Sequence, residues 1–257
     1  MAAKVALITG GGLGLGAAAA LLMAARGWVV AIADIDAERA RLTAAGCSRK
    51  TPGSFAVIVD LAQAEAPQKM VDIVINTCGR LDVLINCAAV APVESFLEMT
   101  AAAWEVALLV NVRGVALALS AAGRVMLRQR SGHIVNVTSA AARMAVPNFS
   151  AYAATKAAVD SLTRAGAVAL GPHGVRVNGF SPGMMDTPMQ ASIEAKFAHL
   201  EDRTDVAAFK AERTARVPLK RRTSPEEMAE SLVWLAIDSP PYLTAERLNV
   251  TGGLDKD

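Results

Sequence analysis

Short apolar runs rich in valine and isoleucine alternate along the chain with longer stretches whose apolar residues recur at helical spacing. The runs predict strands at 5–9, 29–33, 55–59, 83–86, 134–137, 175–180 and 248–250. Between them, helices are expected over 14–26, 37–46, 64–78, 101–130, 151–170 and 225–237. Strand–helix alternation of this kind defines an α/β chain, a doubly wound parallel sheet of about seven strands with helices on both faces and right-handed crossovers. No linker, repeat or compositional break divides residues 1–257, so a single domain is expected. The stretch 184–224 interrupts the alternation with polar and charged residues. It reads either as an insertion that forms a substrate loop or lid, or as a pair of surface helices.

Composition supports a well-covered sheet. Hydrophobic residues make up 53% of the 257 positions and charged residues 19%, with a mean hydropathy of +0.34. The net charge of +2, with lysine and arginine scattered among acids, argues against a nucleic-acid partner. The one basic cluster, Lys220-Arg221-Arg222, is expected in a solvated loop or interface patch.

Between Lys4 and Arg26 lie 21 uncharged residues, a length that matches a membrane span or a signal peptide. Gly10, Gly11, Gly12, Gly14 and Gly16 interrupt it, and each would weaken a continuous helix. Strand, glycine turn and alanine-rich helix fit better, which predicts a cytoplasmic protein with no membrane partner. Cys47, Cys78 and Cys87 lack metal-ligand spacing and sit in or beside apolar runs, as small buried residues in a reducing compartment would. His133, His173 and His199 are far apart and expected at the surface, so no metal site is predicted.

Candidate chemistry begins at the glycine turn. Thr9-Gly-Gly-Gly-Leu-Gly-Leu-Gly16 follows the first predicted strand and opens the first helix. Glycine permits a tight turn and close approach to a diphosphate, whose charge the free amides of a helix start can hold. Asp34 ends the second strand, 18 residues beyond Gly16. A carboxylate there accepts hydrogen bonds from both hydroxyls of an adenosine ribose and repels a 2′-phosphate. No arginine or lysine stands in the glycine turn or beside Asp34 in sequence, so NAD is expected rather than NADP. Asp36 reads as a helix cap, and Asp60 as either an adenine contact or a cap.

Tyr152 and Lys156 are four residues apart, one helical turn, and so project from the same face. An ammonium at that distance favours the phenolate and would move the tyrosine toward proton transfer near neutral pH. The alanine- and glycine-rich stripe of the same helix permits close helix approach.

With these elements in order, the chain resembles the short-chain dehydrogenase/reductase family in its branch of about 250 residues. Thr9-Gly10 with Gly14 and Gly16 is similar to that family's cofactor turn. Asn86-Cys-Ala-Ala89 stands where the family usually carries Asn-Asn-Ala-Gly, and Asn111 in Val110-Asn-Val-Arg-Gly114 resembles its catalytic asparagine. Ser139, thirteen residues before Tyr152, matches the catalytic serine. Pro182-Gly183 followed by Thr187 resembles the segment that meets the nicotinamide amide, and Asn249-Val-Thr-Gly-Gly253 the closing motif. Departures are Cys87, Ala89, Ala142, Thr251 and Lys220-Arg221-Arg222, the last where a glycine turn is common.

The resemblance implies a Rossmann-type fold and a tetrad of Asn111, Ser139, Tyr152 and Lys156. Tyr152 would exchange a proton with the substrate oxygen, and Lys156 would lower the tyrosine pKa and hold the nicotinamide ribose. Ser139 would bond the substrate oxygen, and Asn111 would punctuate its helix and hold a water. It further implies NAD contacts from Gly10, Gly12, Leu13, Gly14, Leu15, Gly16, Asp34, Ile35, Asp60 and Leu61. Further along the chain, Asn86, Ala88, Pro182, Gly183, Met185 and Thr187 join Tyr152 and Lys156 in that list. The substrate pocket would draw on Ala140, Arg143, Met144, Asn148, Phe149, Met184 and Met189. The implied activity is NAD-dependent interconversion of a secondary alcohol and a ketone, carried out by a homodimer or homotetramer. One stretch, from Glu194 through Arg216 to Asn249, is loosely similar to sorbitol, diol and acetoin dehydrogenases and points to a polyol or small diol. The alternatives are a 3-oxoacyl thioester reductase and a dinucleotide-binding sensor or scaffold without catalysis.

Overall fold

The computed structural model describes residues 3–255. Seven strands, β1 (Val5–Thr9), β2 (Val29–Asp34), β3 (Phe55–Ile58), β4 (Val83–Asn86), β5 (Gly132–Val137), β6 (Val175–Pro182) and β7 (Arg247–Val250), form one sheet in the order β3-β2-β1-β4-β5-β6-β7. Every neighbouring pair is parallel. The helices are α1 (Gly14–Ala25), α2 (Ala37–Ser48), α3 (Ala66–Cys78), α4 (Ala101–Ala107), α5 (Val115–Gln129), α6 (Ser150–Leu170), α7 (Pro188–Leu200), α8 (Val206–Ala215) and α9 (Pro225–Val233). The expected strands are present with ends shifted by up to two residues. β6 runs on to Pro182 because Ser181 and Pro182 still pair with Asn249 and Val250.

Successive strand residues are apolar because each face of the sheet is covered. Ile8, Ile32, Ile85, Val135 and Phe180 pack with α1, α2 and α9 on one side. Leu7, Ala31, Leu84, Ile134 and Val177 pack with α3, α5 and α6 on the other. The stretch expected as one helix over 101–130 is broken by a π-helical turn, Leu108–Gly114, with Asn111 fully buried inside it. By length and composition Ala101–Gln129 also passes as a membrane span, yet α5 packs on α3 and α6. The 184–224 stretch holds the paired helices α7 and α8.

The glycine stripe of α6 serves packing within the chain. A Cβ at Gly166 would stand 3.1 Å from Leu119 of α5, and one at Gly123 3.0 Å from Leu170 of α6.

Two surface expectations are corrected. His133 is only 3% exposed, because its strand lies in the sheet's interior. Its Nδ1 meets the carbonyl of Ala236 at 3.0 Å, and Asn178 Nδ2 donates to its Nε2 at 2.9 Å. Burial, with the charge of Arg176, pushes its pKa down to about 3. Arg222 is likewise buried: its guanidinium forks onto the carboxylate of Glu194 in α7, with side chains 4% and 3% exposed. Lys220 and Arg221 do face solvent, and Lys220 adopts φ of 55°, the left-handed conformation that glycine adopts most easily. Cys47 is buried as expected, whereas Cys78 and Cys87 are half-buried; all three thiols are free.

Candidate active site

The strand order reverses between β1 and β4, and ligands of open α/β sheets bind in the crevice beyond the strand ends at such a point. A cleft of about 350 Å³ lies there. Thr9 joins its two sides: its hydroxyl accepts from the amides of Cys87 at 3.0 Å and Ala88 at 3.2 Å. The loop after β4 is thereby drawn onto the glycine turn, where a Cβ on Gly10 would come within 2.8 Å of Ala88 Cα. Gly16 is still tighter, since a Cβ there would lie 2.2 Å from the Gly10 carbonyl oxygen. No side chain caps the start of α1, so its amides stay free for an anion.

At the outer end, Asp34 Oδ2 accepts from the Gly12 amide at 2.8 Å and Oδ1 from the Asp36 amide at 3.0 Å. These bonds fix the carboxylate at the cleft wall with further lone pairs available. Asp36 caps α2 as expected, accepting from the amides of Glu38 and Arg39. Asp60 bonds the Ala62 amide at 2.9 Å, which shapes the turn before α3 and leaves it at the cleft. Sequence spacing missed Arg39, which lines the cleft near Asp34 and pairs with Asp36 at 3.2 Å. The first turn of α2 curls it back, an effect invisible to a search for cations adjacent in sequence.

Of the expected cofactor contacts, Gly10, Leu13, Gly14, Leu15, Gly16, Asp34, Ile35, Asp60, Leu61, Ala88, Tyr152, Lys156, Pro182, Met185 and Thr187 line the cleft. Gly12 lines a neighbouring groove instead. Asn86 is buried and donates to Asn136 Oδ1 at 2.8 Å, bracing β4 against β5. Gly183 lines a separate depression with Met184, its Cα pressed on the backbone of Thr251. The cleft also takes Cys87, noted in the sequence as a departure from the family motif, and Val90, Thr138 and Pro188, which carried no sequence signal of their own.

The tetrad candidates come together from three places, the π turn, the end of β5 and α6. Tyr152 and Lys156 share a face of α6, and Ser139, just beyond β5, is near enough to the Tyr152 phenol to lower its pKa. Lys156 Nζ donates to the Val137 carbonyl at 2.8 Å and sits 5.6 Å from the Tyr152 ring centroid. Asn111 reaches α6 through Thr155: its Nδ2 donates to Thr155 Oγ1 at 3.1 Å, and Thr155 donates to the Tyr152 carbonyl at 2.7 Å. The same Nδ2 donates to the Val90 carbonyl at 2.8 Å, and Oδ1 accepts from the Val90 amide at 2.9 Å. Both amide hydrogens thus serve protein partners, leaving one Oδ1 lone pair for a water.

Burial dominates the electrostatics. It pushes the Tyr152 phenol up to about 12, although the nearby Ser139 works the other way. It pulls Lys156 down to about 8, partly offset by Cys87 and Asp160. Burial thus favours the protonated phenol, the form that donates a proton to a ketone oxygen.

Among the expected substrate contacts, only Met189 lines the cleft. Phe149 stacks on Tyr152, ring centroids 4.3 Å apart at 23°, and meets Phe197 of α7 edge-on at 5.6 Å. Ala140 is buried beside Ser139. Met144 and Arg143 are exposed, and Arg143 is 3.9 Å from Asp255. Asn148 holds the Glu94 amide through its backbone carbonyl at 3.2 Å. Among the described residues, no cluster of metal-binding side chains exists.

Comparison with known proteins places this geometry. The family model described as enoyl-(acyl carrier protein) reductase matches residues 11–255. The chain is 37% identical to cis-4-hydroxycyclohexanecarboxylate dehydrogenase of Sinomonas cyclohexanicum, over 98% of this chain and 96% of that one. It is 35% identical to galactitol 2-dehydrogenase of Agrobacterium fabrum, over 97% and 96%. The solved structure of NAD+-bound xylitol dehydrogenase superposes with a TM-score of 0.93 at 29% identity, covering 97% and 98%. The chain belongs to the short-chain dehydrogenase/reductase family. It is an oxidoreductase of alcohol and ketone groups built on a dinucleotide-binding fold.

Proposed function

We propose that the protein uses NAD(H) to interconvert a secondary alcohol and a ketone, with Asn111, Ser139, Tyr152 and Lys156 as its working tetrad. The observation that carries the reading is Tyr152 at the cleft, one turn from the buried Lys156, which lines the same cleft. The glycine turn, whose Gly10 and Gly16 leave no room for a Cβ, fits a dinucleotide diphosphate, with the adenosine ribose at Asp34. A dinucleotide held there would supply the acceptor or donor of the hydride. Tyr152 supplies a proton to the ketone oxygen in reduction and takes it back in oxidation. Ser139 orients that oxygen and Lys156 carries positive charge beside it. Asn111 acts through Thr155, fixing the turn of α6 that presents Tyr152.

The Asp34 carboxylate supports NAD, because Arg39, the cation that would welcome a 2′-phosphate, is engaged by Asp36. The 184–224 stretch acts as the substrate loop of a single domain, since Met185, Thr187, Pro188 and Met189 bring it to the cleft. Relatives named for galactitol and for a hydroxycyclohexane acid support secondary-alcohol chemistry and leave a polyol and a ring alcohol as substrate classes. A homodimer or homotetramer is the expected assembly. The second reading, a thioester reductase, is favoured by the description of the matching family model.

The test is dinucleotide reduction across a panel of secondary alcohols with NAD and NADP, alongside acyl-thioester reduction. Alcohol turnover with NAD supports the proposal, and thioester turnover alone transfers it to the second reading.

A further inference from the structure

Resting on that oxidoreductase reading, we infer that Phe149 and Phe197 are positioning residues for Tyr152, and that through them the 184–224 stretch sets where the reacting phenol stands. A helical side chain leans over the turn N-terminal to its own Cα. Tyr152 is the third residue of α6, so no earlier turn of its own helix lies beneath it. The 3-10 turn Pro147–Phe149 supplies that surface instead.

Phe149 stacks on the phenol ring with centroids 4.3 Å apart and planes at 23°. It meets Phe197 of α7 edge-on, with centroids 5.6 Å apart. Aromatic rings prefer stacked and edge-on arrangements of this kind, so each contact restrains orientation as well as distance. Arg213 of α8 places its guanidinium 4.8 Å from the Phe197 centroid and 3.7 Å from the carboxylate of Glu194, also on α7. The order is therefore α8, α7, Phe149, Tyr152.

These rings form a core of their own. Ile193 and Phe197 of α7 and Phe209 of α8 join Phe149 in it, and Tyr152 and Ala153 pack against it rather than against the two cores that flank the sheet. Lys156, one turn further along α6, is instead tied to the sheet through the Val137 carbonyl. The phenol and the ammonium thus take their places from different parts of the chain. α7 begins at the cleft, where Thr187 caps it and Met189 lines the wall. Phe149 and Phe197 are 8% and 2% exposed and stand outside the cleft lining, so they act through Tyr152 and not by touching a substrate. A reacting group displaced by about 1 Å loses on the order of 10²-fold in rate.

The test compares Phe149→Leu and Phe197→Leu with Phe209→Leu, a loss from the same core that leaves the stack in place. Each full-length variant is assayed with the alcohol and dinucleotide that serve the wild type best. The first two should lose kcat by at least about tenfold, with KM for the alcohol and the dissociation constant for NADH within about threefold. Phe209→Leu should keep kcat within about threefold of the wild type even where it lowers the denaturation midpoint as much. A kcat retained by Phe149→Leu and Phe197→Leu, or lost equally by Phe209→Leu, overturns the inference. A wild type silent on every alcohol counts against the oxidoreductase reading, and the stack is then read on the ring itself. The chain has two tyrosines, so Tyr242→Phe leaves Tyr152 alone, and isotope labelling of its ring gives one NMR signature. Phe197→Leu, one ring removed from the phenol, should shift or broaden that signal while Phe209→Leu leaves it in place. A signal that Phe197→Leu does not move overturns the inference.

Discussion

Lys156 Nζ donates to the carbonyl of Val137 at 2.8 Å, so the buried ammonium is tethered to the end of β5 and not to the phenol of Tyr152. Its charge is costly there. The folded pKa is about 8 against 10.5 for an ordinary lysine, with burial the main cause. Below about pH 8 both folded and unfolded chains hold the proton, and the penalty is complete. Between about pH 8 and 10.5 the folded chain has released it while the unfolded chain has not, and the penalty fades.

Lys156→Met is therefore expected to be inactive yet more stable than the wild type at neutral pH. The shift corresponds to roughly 3 kcal/mol, less ~1 kcal/mol for the lost hydrogen bond. Denaturant unfolding of both proteins from neutral pH upward checks this. The advantage should shrink above about pH 8 and vanish near pH 10.5.

His133 gives the opposite end of the pH scale. Its pKa of about 3 against the usual 6.5 means the folded chain resists a proton that the unfolded chain accepts. Stability from this group is complete above about pH 6.5 and drains as pH falls toward 3, at ~1.4 kcal/mol per unit. His133→Gln, which cannot titrate, should lose less stability than the wild type between pH 7 and pH 5, by ~2 kcal/mol. Paired urea titrations at the two pH values measure the difference.

In the proposed reading Asp34 selects NAD. Asp34→Ser removes the carboxylate that would face the ribose and leaves Arg39 beside the cleft. The ratio of kcat/KM for NADP over NAD should rise at least about tenfold, or ~1.4 kcal/mol. Adding Arg39→Ala should cancel most of that gain. A ratio unmoved by Asp34→Ser would remove this residue from cofactor selection.

Glu194 and Arg222 join α7 to the segment before α9, both buried. Removing Arg222 leaves the buried Glu194 carboxylate with the more distant Arg213, at 3.7 Å, so Arg222→Met should destabilise by at most ~3–5 kcal/mol. Glu194→Gln with Arg222→Met should recover much of that loss, and a double-mutant cycle by denaturant unfolding reads the coupling.

The strand pattern was plain in the sequence because parallel strands covered on both faces are continuous apolar runs. The order of chemical motifs was equally legible, since Thr9, Asp34, Asn111, Ser139 and Tyr152 are each punctuation at the end or turn of an element. Hidden features depend on folding back: Arg39 reaches the cleft through a helical turn, and Thr155 becomes a link only when the π turn brings Asn111 to it. His133 and Arg222 looked like surface residues because local polarity carries no record of a partner tens of residues away, Asn178 in one case and Glu194 in the other. For Tyr152, spacing reveals the neighbouring ammonium of Lys156 and conceals the burial that raises the phenol pKa.

The account stands on Tyr152 as the group that exchanges the substrate proton, and its most direct test is Tyr152→Phe assayed with NAD and the best alcohol. The prediction is a fall in kcat of about 10²–10⁴-fold with the dissociation constant for NADH within about threefold of the wild type. Turnover that survives the substitution within about threefold would contradict the mechanism.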